Sequence, residues 1–207
     1  MDFYSDKQHE ELIKLKEKYK NQIKILIGAE FDWIETRKEW VEKETKRRHY
    51  DIKIVSVHLI YLNRVYYTLN SRDANFGETL KLSGNDIKKF VKMYYKNVRD
   101  AANSGLFDVL GHFDLIKIFN KDSRYFSQED SWYKKEVIKT LKVVKKSGLK
   151  LDLNLSGFRY PCGEQFPSKW IIDDAQRMGI KFLIGTDAHR EEALDYDLDD
   201  VRRMLYN

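Results

Sequence analysis

One cysteine and two prolines are all that 207 residues hold of those types. Cys162 has no second thiol to pair with, so an internal disulfide is excluded, as suits a reducing, cytoplasmic setting. With so little proline and much Lys, Asn and Ile, the composition shows no flexible inter-domain linker, and one domain over residues 1–207 is expected. No apolar run approaches the roughly 20 residues that cross a bilayer. The opening MDFYSDKQHEEL lacks the apolar stretch of a secretory signal, so no membrane partner is expected. No Asn-Gly or similar turn joins two strand-like runs directly, which argues against hairpins.

What is present is globular: 42% hydrophobic, 34% charged and 14% aromatic residues, enough for a sizeable core. Net charge is +5, which mildly favours anionic partners, including phosphorylated metabolites and nucleic acid. The 38 Lys and Arg are interleaved with 33 Asp and Glu along stretches such as EELIKLKEKYKNQ, the pattern of a solvated helical face. There is no basic stripe with interleaved aromatics, so nucleic acid is not an expected partner.

Along the chain, helical spacing over residues 5–21 gives way to a β-rich run, QIKILIGAEFD, with Gly28 and Glu30 toward its close. A charged helix is expected over 36–48. DIKIVSVHLI is a second strand, closing on His58. Residues 61–82 are aromatic and irregular. A helix follows from Asn85 or Asp86, as cap, to Gly105. LFDVLGHFDLIKIF supplies a third strand, with His112 past Gly111; 132–147 is a helix ending near Gly148. LKLDLNLSGFRYP is the fourth strand, PSKWIIDDAQRMG a helix, IKFLIGTDAH the fifth strand, and DLDDVRRMLYN a closing helix. Strand and helix alternate five times, which predicts an α/β protein with a parallel sheet, open or closed into a barrel. The strands read as nearly continuous apolar runs, as strands covered on both faces do.

In such folds the C-terminal strand ends share one rim, where active sites lie. Those ends carry Glu30, His58, His112, the segment from Asn154 to Arg159, and Asp187 with His189. His9 and His49 sit in charged helical stretches and read as surface residues. Five strands delivering carboxylates and imidazoles to one rim predict a site for Zn, Mn or Fe. Paired ions about 4 Å apart activate water and clamp a phosphoryl group. Arg159 adds a guanidinium of the kind that binds phosphate.

GAEFDWI, SVHLI, DVLGHFDLIK, LNLSGFRYPCGEQFPS and GTDAH resemble, in order and approximate spacing, the histidinol-phosphate phosphatases of the PHP (polymerase and histidinol phosphatase) superfamily. The resemblance implies a distorted seven-stranded β/α barrel holding up to three divalent metals. It implies that Glu30, His58 and His112 ligate one metal, with Glu30 bridging to a second that Asp187 also ligates, and His189 a third. Arg159 would hold the substrate phosphate. A metal-bound water would be the nucleophile, with no separate catalytic side chain, giving L-histidinol and phosphate in histidine biosynthesis. Residues 61–82 would overhang the site.

The family's H-x-H motif has no counterpart here, nor do two of its β/α units. About five units are therefore expected, N-terminally truncated relative to the family. The expected consequences are two exposed strand edges, covered by a homo-oligomer or a missing N-terminal segment, one tight metal at most, and slow turnover. The alternatives are a degenerate, non-catalytic binding module and a PHP-type phosphodiesterase.

Overall fold

The computed structural model describes residues 6–71 and 73–194; the expected closing helix at 197–207 lies outside them. Helix α1 (Asp6–Tyr19) precedes strand β1 (Gly28–Asp32), and α2 (Lys38–Arg47) precedes β2 (Ile52–Ser56). The hairpin β3 (Leu59–Leu62) and β4 (Val65–Thr68) comes next, then α3 (Asp73–Leu82) and α4 (Ile87–Ala102). There follow β5 (Val109–Leu110), α5 (Ser131–Ser147), β6 (Lys150–Asn154), α6 (Lys169–Arg177) and β7 (Phe182–Gly185).

The five predicted parallel strands form one sheet in the order β1-β2-β5-β6-β7. They follow chain order without reversal, the winding of a barrel wall rather than of a doubly wound sheet. Among the described residues nothing pairs with the outer edge of β1 or β7.

Strand residues alternate between faces, and partners in a parallel register share one. Phe31, Val55, Leu110 and Leu151 therefore lie on one face, where they join the main core. Helix α4 fills that core with Phe90, Tyr94, Tyr95 and Val98, all buried. Each large side chain so buried stabilises by roughly 1.5–3 kcal/mol. The other face carries Glu30, Asp32, Ser56, Asp152 and Asn154, with Gly111 and Gly185 where side chains crowd. A Cβ on Gly185 would stand 2.5 Å from Asp152 Oδ1. The expectation of strands apolar on both faces is thus corrected in part: Ile54, Val109 and Leu183 are apolar on this second face too, among the polar residues that line the site.

Two further readings change. Residues 61–82 are not irregular but supply a hairpin and α3. The missing signal was the turn: Asn63 and Arg64 take φ of 49° and 65°, the positive pair that a tight hairpin turn requires, without glycine. The first strand is shorter than expected, because residues before Gly28 meet no ladder partner; Ile23 and Leu26 stay exposed. The helix ends fall near their signals. Asp86 caps α4 by accepting from Lys89 N at 3.0 Å, and Gly148 ends α5 at φ 78°.

Candidate metal centre

Three elements deliver the first three ligand candidates. Glu30 lies within β1, His58 just past β2 and His112 just past β5, on neighbouring strands of the sheet. His112 Nε2 stands 3.2 Å and His58 Nε2 3.6 Å from Glu30 Oε1. One ligand atom from each lies within 4.8 Å of the others, and no second such group exists among the described residues.

Their orientation is held from behind. Asp32 Oδ1 is 2.6 Å from His58 Nδ1. With the proton of His58 on Nδ1, facing that carboxylate, the Nε2 lone pair points at Glu30 and can take an ion. His112 is buried, and its loop is pinned by Tyr94. The Tyr94 hydroxyl donates to Phe113 O at 3.1 Å and accepts from Leu115 N at 3.2 Å. The Phe166 ring packs edge-on against His112 at 6.3 Å.

The electrostatics suit a cation. Partial burial raises the Glu30 pKa, but the His112 hydrogen bond and the His112 and His58 charges outweigh it and hold it at about 2. Burial disfavours the His112 cation, yet Glu30 more than compensates, leaving its pKa above the ordinary value. The pair thus holds a proton between carboxylate and imidazole, where an ion can replace it. One carboxylate and two imidazoles, all aimed at one point, fit a divalent metal of the Zn, Mn or Fe type.

The triad opens on a cleft of about 790 Å³. Glu30 and His58 form one wall; Arg159, Asp187 and His189 are also among its lining residues. Arg159 Nη2 donates to the carbonyls of Thr186 and Asp187, both at 3.0 Å, and so clamps the turn after β7. Asp187 takes φ 51° there, a left-handed conformation that Asp tolerates better than most residues. His189 is 84% exposed. The structure therefore gathers Glu30, His58 and His112 into one ligand set. Asp187 and His189 face the same cleft but do not join it.

Two acids escaped the sequence reading. Asp32 was legible in principle, since it lies two residues from Glu30 and shares its face of the strand. Asp152 carried the same signal, two residues from Asn154 on one face of its strand. It is buried on the polar face, and burial, reinforced by the Asp187 and Glu30 charges, pushes its pKa up to about 6 against the Asn154 amide and His112. The Asn154 side chain donates to it at 2.7 Å.

Sheet and ligands together define an α/β protein of barrel-type winding with a carboxylate–imidazole metal centre at its strand ends. The family model for the PHP domain matches residues 3–156, and the chain belongs to that family. It is 30% identical over 195 residues to a protein of Deinococcus radiodurans named "Probable histidinol-phosphatase", covering 94% of this chain and 69% of that one. It is 26% identical to the "Histidinol-phosphatase" of Bacillus subtilis, over 90% of this chain and 71% of the relative. Among solved structures, a candidate histidinol phosphatase of Listeria monocytogenes superposes with TM-score 0.84 at 21% identity, over 92% of this chain and 73% of its own. The histidinol phosphate phosphatase of Lactococcus lactis, solved with zinc, L-histidinol and phosphate, gives 0.67 at 19%, over 96% and 72%. These structural likenesses establish the fold.

Proposed function

We propose that this chain is a metal-dependent phosphomonoesterase of histidinol-phosphatase type, converting L-histidinol phosphate and water to L-histidinol and phosphate. The observation that carries the reading is the convergence of Glu30, His58 and His112 on a cleft that Arg159 also lines. The names of the relatives at 30% and 26% identity supply the substrate. The zinc in the Lactococcus lactis structure favours zinc, with Mn and Fe as alternatives.

A divalent ion in this centre supplies Lewis-acid chemistry, making a water acidic and offsetting charge on phosphoryl oxygens. Glu30, His58 and His112 hold it, and Asp32 fixes the His58 ring. Arg159 is assigned the substrate phosphate, for which its planar fork of donors is suited. Asp187 and His189 are assigned to further, weaker metal positions. One tight ion per chain and slow turnover follow from a single gathered ligand set. Residues 1–207 act as one PHP-type domain, and a cytoplasmic setting with a small phosphorylated metabolite as partner belongs to the same reading.

The test is purified, metal-stripped protein reloaded with Zn, Mn or Fe, assayed for bound metal and for phosphate release from histidinol phosphate, beside His112→Ala. Metal-dependent release that His112→Ala abolishes, with about one tight ion per chain, is expected. Metal binding without release points to a non-catalytic module and overturns the enzyme reading. Two or three tight ions with fast turnover overturn the single-site reading.

A further inference from the structure

The packing of α4 against α5 assembles a charge pattern that neither segment shows alone. The two helices carry eleven Lys and Arg against only Asp100 and Glu136, a net +9 within a chain of net +5. The rest of the molecule is therefore net acidic. Some lysines are paired, elsewhere as Lys16 with Asp51, Lys20 with Glu17, Lys46 with Glu42 and Lys169 with Asp173, and on these helices as Lys96 with Glu35 and Asp100 and Lys134 with Glu129. On this face Lys89, Lys92, Lys135, Lys139, Lys142 and Lys146 are exposed and make no ion pair among the described residues. The part-buried Arg99–Glu136 pair at 2.5 Å, and Lys88 over the Trp132 ring, fix the two helices side by side.

The face is a groove, not a plane. A concavity of about 810 Å³ lies between the helices, lined by Lys89, Lys92 and Lys139 together with Asp86, Met93 and Glu136, and a second of about 390 Å³ lies on α5 alone, from Lys134 to Lys142. Steps of three or four residues place successive lysines roughly 5–6 Å apart along each helix. Neighbouring helices lie about 8–10 Å apart, so the two rows can straddle one groove of a double helix.

We infer that the α4–α5 face binds the phosphate backbone of double-helical nucleic acid without reading its sequence. The composition of the face selects this partner. None of the exposed large apolar side chains lies between residues 87 and 147, so the face has no anchor for a protein hot spot and no wedge for a bilayer. No exposed aromatic offers a platform for unstacked bases, which disfavours single strands. Exposed lysines in two rows neutralise phosphates as point charges, and that suffices for sequence-independent binding. The inference is independent of the phosphatase reading.

The test is fluorescence anisotropy of the full chain with a labelled duplex of about 20 base pairs, at several salt concentrations. Lys89, Lys92, Lys139 and Lys142 are changed together to Gln. A control changes Lys16, Lys20, Lys46 and Lys169 to Gln, giving the same net charge. The groove variant is expected to bind at least about tenfold more weakly, with a salt slope smaller by about 3–4, while the control stays within about twofold of the parent. Equal losses in both variants would show a net-charge effect and overturn the inference. So would the absence of duplex binding at about 50 mM salt, tighter binding of the matching single strand, or binding only to phosphatidylserine vesicles.

Discussion

Asp32 touches no other candidate ligand than His58, yet the geometry of the centre depends on it. Replacing it with Asn removes the charge and leaves the shape. Asp32→Asn is expected to lower metal affinity about 10–100-fold with the fold intact, read by competition with a chromogenic chelator and by circular dichroism. An unchanged affinity would mean that His58 is oriented by packing alone. Asp152 gives a pH signature. Its pKa of about 6 lies above the usual 3.8, so between these values the folded state holds a proton that the unfolded chain has lost. The contribution of Asp152 to the stability of the metal-free protein therefore falls as pH rises from about 4 to about 6, then levels off. Asp152→Asn is expected to be neutral below pH 4 and stabilising above pH 6, approaching about 3 kcal/mol, in urea melts of metal-stripped protein. A gain that is constant across that range would assign the effect to packing instead of ionisation.

At the scale of elements, the hairpin after β2 is the clearest departure from the linear reading. Its turn places Arg64 at φ 65°, where a Cβ is strained and glycine is not. Arg64→Gly is expected to stabilise the protein by about 0.5–1 kcal/mol in thermal or urea unfolding, since the relieved strain exceeds the added chain entropy. Destabilisation would show that the Arg64 side chain itself holds the hairpin. Helix α4 serves two faces of the molecule. Its apolar side supplies Tyr94, which pins the loop behind His112, and its outer side supplies half of the basic groove. Its amphipathic spacing was legible in the sequence; the hydroxyl contact was not, because Tyr94 and Leu115 are brought together only when α4 packs on the sheet.

Across the whole molecule, stability should grade from the centre of the sheet to its edges. β6 is buried from Leu151 to Asn154, whereas β7 is half-buried throughout and β1 has no buried residue. Hydrogen exchange is expected to run at least about tenfold faster in Gly28–Asp32 and Phe182–Gly185 than in Leu151–Leu153, and equal protection would indicate that the edges are covered in solution. The five parallel strands, their helices and the ends that carry Glu30, His58, His112, Asp187 and His189 were all legible in the linear chain, because hydrophobic period and cap residues act over a few neighbours. So was the exclusion of a disulfide, which needs two cysteines. The tertiary structure alone decided which ends converge. It joined Glu30 to His58 and His112 while leaving Asp187 and His189 on the cleft wall. It buried Asp152, gathered carboxylates on one sheet face, and set the lysines of α4 beside those of α5. Each of these depends on distances between residues far apart in sequence, which strand register and helix packing set and local periodicity does not encode.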